Sequence, residues 1–154
     1  MKGSNQLFLT SWVILLVVSG AIVVFSMMSL WVAYTGKPDA LTQEYSLTQV
    51  AEQGGDQAVK AFRGRRATAA TFALGFGLFA LIVTWIPFRR GERWAWWALL
   101  ICFGLSQLLS MARAVMLITT VGVGTPAVLL AFALLGLMAG APRMFSPRDP
   151  VMEP

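Results

Sequence analysis

The chain is 154 residues long, 57% hydrophobic and only 12% charged, with a formal net charge of +5. A soluble domain carries about 25% charged residues, and one of this size has too small an interior to hide so much apolar surface; lipid is the solvent that removes the difficulty. The positive balance does not point to nucleic acid, because the basic residues stand at the ends of apolar runs, where lipid head groups lie.

No charge occurs between Lys2 and Lys37, from Ala67 to Phe88, from Trp94 to Ala112, or from Ala114 to Pro142. A spanning helix needs roughly 20 apolar residues at about 1.5 Å each. The first span is read at about 7–34. That is about twice the length of a signal-peptide core, and no A-x-A site follows, so it is expected to be a retained anchor. Thr35-Gly36-Lys37-Pro38-Asp39 stops it. The segment at about 35–56 is a polar loop holding a short amphipathic helix. Ser46 and Gln49 have capping-box spacing, Leu47, Val50 and Ala51 share one face, and Gly54-Gly55 ends it.

Asp56 is placed to cap the next helix. Its spanning part is read at about 65–87, with Lys60, Arg63, Arg65 and Arg66 snorkelling where it enters the membrane. Ile86-Pro87-Phe88 ends it. The turn Arg89-Arg90-Gly91-Glu92-Arg93 is followed at once by Trp94, Trp96 and Trp97. Indole rings favour the membrane interface with N–H toward water. Arg89, Arg90, Arg93, Trp94, Trp96 and Trp97 are therefore the expected interface residues, with lipid phosphate as their partner. Glu92 is expected to pair with a neighbouring arginine.

The third span is read at about 94–120, because the turn signal comes only at Gly122-Val123-Gly124-Thr125-Pro126. Arg113 stands 19 residues after Trp94, about 28 Å along a helix axis, near the opposite interface. The fourth span is read at about 126–141, and Pro142, Pro147, Pro150 and Pro154 mark an irregular tail over 142–154. The expected fold class is all-α: an integral membrane four-helix bundle forming a single domain over 1–154.

The termini and the 89–93 turn carry Lys2, Arg89, Arg90, Arg93, Arg143 and Arg148. The other side carries Lys37, Lys60, Arg63, Arg65, Arg66 and Arg113. The count ties, and the compact arginine turn with the basic N-terminus tips it toward both termini in the cytoplasm.

The segment Phe88-Arg89-Arg90-Gly91-Glu92-Arg93-Trp94-Ala95-Trp96-Trp97 follows a Gly-rich second helix. It resembles a group of small four-span bacterial membrane proteins in which an R-x-G-E-R-W-A-W-W-type turn joins spans two and three. The resemblance extends to Ser46-Leu47-Thr48 and to Ala141-Pro142-Arg143. It implies a four-span fold and a bacterial plasma (inner) membrane protein, and implies no activity.

The chain has no histidine, which excludes imidazole acid–base chemistry, zinc sites with histidine and haem ligation of the common kinds. No Asp or Glu lies within a span, so an intramembrane carboxylate relay is excluded as well. No catalytic residue, metal site or cofactor is assigned. The third helix carries one polar stripe: Cys102, Ser106, Ser110, Arg113 and Thr120, with Gln107 at its edge. As a site, Arg113, Gln107, Ser106 and Ser110 would form an anion or lipid-head-group pocket. As packing, they are interhelical hydrogen bonds, with Arg113 paired to Asp39, Glu44, Glu52 or Asp56. Packing is the favoured reading.

Small residues mark close helix contacts: Ala69, Ala73, Gly77, Ala80 and Thr84 on the second helix, Gly136 and Gly140 with Ala133 on the fourth, and Ser19, Gly20 and Ala21 on the first. They serve packing within the chain or, alternatively, contact with another membrane protein or a second copy. Three functions follow in order of preference: a non-enzymatic structural or accessory protein, a transporter or channel for a small anion or lipid using the Arg113 stripe, and a lipid-modifying membrane enzyme.

Overall fold

A computed structural model describes residues 2–35, 47–116 and 123–145. The fold class is all-α. The order is α1 (Lys2–Thr35), α2 (Leu47–Val83), a π-helical turn (Thr84–Phe88), α3 (Arg93–Met116) and α4 (Gly124–Phe145). Among the described residues, four helices are long and apolar enough to cross a membrane, so the chain is a multi-pass membrane protein. Inside lipid the backbone must satisfy its own polar groups, which leaves helices as the spanning form for such runs.

The chain forms two compact units, residues 1–18 with 81–154, and residues 19–80. Ser46, Thr120 and the 146–154 tail lie outside the described residues.

In the first unit, four helical segments pack together. On α1, Phe8, Ser11, Leu15 and Val18 are buried, three and four residues apart as on one helix face. On α4, Ala133, Gly136, Leu137, Gly140 and Met144 are buried. The two faces meet where α4 has no side chains. A Cβ built on Gly136 would lie 3.0 Å from Leu15 Cγ, and one on Gly140 would lie 2.6 Å from Ser11 Oγ and 2.9 Å from Phe88 Cζ. The Ser11 hydroxyl donates to the Gly136 carbonyl at 2.5 Å. The Gly136–Gly140 strip is thus occupied by α1 of the same chain.

Helical structure ends at Phe88, as Ile86-Pro87-Phe88 predicts, but it does not break at the proline itself. The chain widens into a π turn over Thr84–Phe88 and continues through the proline. Proline lacks an N–H and crowds the preceding turn, and a π turn is a common way for a helix to absorb an extra residue. The indole of Trp12 donates to the freed segment at the Thr84 carbonyl, 3.2 Å away. The helix then stops on Gly91, whose φ is 76°. Gly91 N–H bonds Phe88 O at 2.9 Å and Glu92 N–H bonds Pro87 O at 3.1 Å, the paired closure of a Schellman motif. α4 likewise runs through Pro142 to Phe145, where an irregular tail was expected. Arg93 Nε donates to the Met144 carbonyl at 2.9 Å and holds that last turn.

In the second unit, Ser19, Ile22, Ser26 and Ala33 of α1 are buried, as are Ala70 and Ala80 of α2. Gly77 lets Ile22 and Val23 approach, each Cγ2 lying 3.0 Å from where its Cβ would be. The expected strip holds at Gly77 and Ala80, while Ala73 is half-buried and Ala69 exposed. Ala70 takes the place of Ala69, because a register of 70, 77 and 80 keeps one helix face and residue 69 falls a step outside it. Gly55, with φ 65° and ψ −170°, separates the short helix beginning at Leu47 from the long one.

Gly140→Ala is expected to destabilise the protein by about 1–3 kcal/mol, as overpacking does. Gly104→Ala, where a Cβ meets nothing within 4 Å, is the control and should be neutral or slightly stabilising. Thermal melts in one detergent compare the two, and equal melting would refute the close approach.

Candidate functional site

Three groups of polar side chains have the makings of a site. The first lies at one end of the first unit, where the start of α1, the 89–93 turn and the end of α4 meet. Arg89 has its guanidinium carbon 5.4 Å from the Trp12 ring and 5.9 Å from the Trp85 ring. Arg143 lies 4.2 Å from the Phe8 ring, and Phe8 stacks on Phe88 with centroids 5.7 Å apart. Arg93 combines its bond to Met144 O with a position 6.0 Å from the Phe145 ring. Arg90 is exposed.

Two expectations for this end change. Among the described residues Glu92 pairs with no arginine; its carboxylate accepts from the Trp94 indole at 2.5 Å. The nearby guanidinium groups of Arg89 and Arg93 are drawn instead to ring faces and to a backbone carbonyl. Trp96 turns inward rather than presenting its N–H to water. It donates to Leu137 O on α4 at 2.8 Å and meets Trp97 and Phe145 edge-on at 4.9 and 5.2 Å. Trp94 and Trp97 remain exposed.

The second group is the polar stripe of α3. Ala95, Leu99, Phe103 and Gln107 form its buried face. Gln107 is therefore on the central line, not at the edge, and Cys102, Ser106 and Ser110 flank it half-buried. Ser106 Oγ donates to Phe103 O at 3.2 Å, and Gln107 Nε2 reaches Ser106 Oγ at 3.5 Å. These bonds are local to α3. Arg113 is exposed in the last turn, where a cation complements the helix dipole. Of its proposed partners, Asp39 and Glu44 lie outside the described residues, and Glu52 and Asp56 are exposed in the second unit.

The third group was not anticipated. In the second unit, Arg63 of α2 donates from Nε to Ala33 O at 2.8 Å and from a terminal nitrogen to Tyr34 O at 2.5 Å. Arg66 Nε donates to Ser29 Oγ at 3.2 Å. The last four carbonyls of a helix have no partner within it, and one planar fork satisfies two of them at the end of α1. Sequence reading placed Arg63 and Arg66 as snorkelling cations. The buried serines at 11, 19 and 26 were missed as a set; their spacings of eight and seven residues put all three on one face.

No family model, curated protein or solved structure matches the chain.

Arg63→Gln removes the charged fork and is expected to cost about 1–2 kcal/mol, the range of hydrogen bonds to a charged donor at a partly exposed site. Arg63→Lys should recover less than half, since an ammonium cannot bridge two carbonyls in a fixed plane. Unfolding in mixed detergent measures both, and a full rescue by lysine would show that only charge matters.

Proposed function

We propose that the chain is a non-enzymatic structural or accessory protein of a bacterial plasma membrane. The observation that carries this reading is how its polar side chains are used. Arg63 and Arg93 cap helix ends, Ser11 and Trp96 tie α1 and α3 to α4, and Arg66 ties α2 to α1. Groups that would otherwise bind or transform a substrate act as internal fasteners. The outward faces are apolar, as at Phe72, Leu105, Leu109 and Met138, and in a membrane such faces meet lipid or another span.

Extraction from native membrane into nanodiscs, followed by intact mass and identification of every component, tests the role. A companion protein at fixed stoichiometry is expected. A particle holding only this chain, which then moved an anion or lipid across liposomes, would replace the accessory reading with a transporter.

Both termini are assigned to the cytoplasm. This is supported by the meeting of Phe8, Phe88, Arg93 and Met144 at one end of the first unit, together with the basic turn there. In a Cys102→Ser background, Ser4→Cys should resist a membrane-impermeant maleimide on intact cells and Asp39→Cys should react. The opposite pattern reverses the orientation.

A further inference from the structure

Among the described residues, two guanidinium groups at that end of the first unit have aromatic rings as their partners. Trp12 and Trp85 lie 5.4 Å apart and both approach Arg89. Phe8, backed by Phe88, approaches Arg143. Both arginines are exposed. A ring face attracts a guanidinium through its charge and accepts none of its five N–H donors in the manner of an oxygen. Each arginine is therefore oriented while its donor fork stays available, which is the arrangement that grips two oxygens of one phosphate. Arg93 differs, since its Nε is committed to Met144 O. Phe8 and Trp12 are four residues apart on α1, so the rings that hold the two forks stand on successive turns, about 6 Å apart along the axis.

We propose that Arg89 and Arg143 form a binding site for the phosphate of an anionic phospholipid. The lipid source is favoured over free phosphate because an apolar flank adjoins the site. Trp85 and Ile86, 49% and 45% exposed, stand on the turn before Arg89 and can lie along acyl chains, which inorganic phosphate lacks. The site stands whether or not a companion protein is found, since it needs only this chain and lipid.

The test is native mass spectrometry of the full-length protein in mild detergent doped with phosphatidylglycerol or phosphatidylcholine. Retention of phosphatidylglycerol should exceed that of phosphatidylcholine by about ten-fold, the scale of one charge-assisted hydrogen-bond set. The double variant Arg89→Lys with Arg143→Lys keeps the charge and loses the forks; it should lose about ten-fold in retention. Arg90→Gln removes a charge that attracts lipid only diffusely; it should lower retention less than the lysine pair does, by no more than the roughly five-fold that about 1 kcal/mol is worth. Diffuse attraction predicts the reverse, with Arg90→Gln weakening retention and the lysine pair leaving it unchanged, and that result overturns the proposal. Displacement of the lipid by an equal concentration of inorganic phosphate also overturns it, in favour of a free-anion site. Should the double variant fold poorly, Trp12→Leu removes the ring that holds Arg89 and keeps the charge. Its retention should fall several-fold, and unchanged retention counts against the site.

Discussion

The last carbonyls of each helix need donors that the helix itself cannot supply, and much of this structure is arranged around that need. Three helix ends meet it, two through an arginine and one through the backbone itself. α1 is closed by the fork of Arg63 on Ala33 and Tyr34. The π turn after α2 is closed by the chain itself, through Gly91 in the left-handed region. α4 is closed by Arg93 on Met144. In each case the donor also fixes a neighbour in place. Arg63 joins α2 to α1, Gly91 sets the direction into α3, and Arg93 brings the start of α3 to the end of α4. The arginines look like interface cations, yet two of them are parts of the backbone hydrogen-bond system.

Close approach is the second requirement. Lipid tails are as apolar as leucine, so helices in a membrane associate through dispersion contacts and hydrogen bonds more than through the hydrophobic effect. That makes missing side chains valuable. Gly136 and Gly140 admit Leu15 and Ser11, and the approach is close enough for the Ser11 hydroxyl to reach a helix carbonyl. In the second unit Gly77 plays the same part for Ile22 and Val23. Thr84 is a cost of the arrangement. Thr10, Thr35, Thr68 and Thr71 each donate to a carbonyl one turn back, whereas the buried Thr84 hydroxyl has no partner among the described residues.

The helices were legible because charge-free runs of spanning length are rare outside membranes. The break at Gly55 was legible because glycine marks positive φ, and the Gly136–Gly140 contact because small residues four apart expose a strip of backbone. The Arg63 cap was not legible. Its partners are backbone carbonyls, which every residue has, so no side chain across the chain announces the pairing. The face of α1 was hidden for a different reason: apolar residues surround that helix on all sides, and only the serines mark which side is inward. On α3, Gln107 was placed at an edge because the stripe was drawn through Ser106 and Ser110; the packed line through Ala95, Leu99 and Phe103 decides otherwise. Pro142 was read as the start of the irregular tail, whereas α4 continues through it to Phe145 and its last turn accepts from Arg93.

The two units also differ in when their contacts become available during synthesis. The second is one uninterrupted stretch, 19–80, and its cap joins residues 30 apart. At about 5–20 residues per second, the end of α1 waits only a few seconds for Arg63. The first unit is split, with residues 1–18 separated from the rest by the whole of the second. Its bond from Ser11 to Gly136 joins residues 125 apart, so the start of α1 remains without that partner until α4 has been made. That half of α1, made before the rest of its unit, is among the last parts of the unit to find its place.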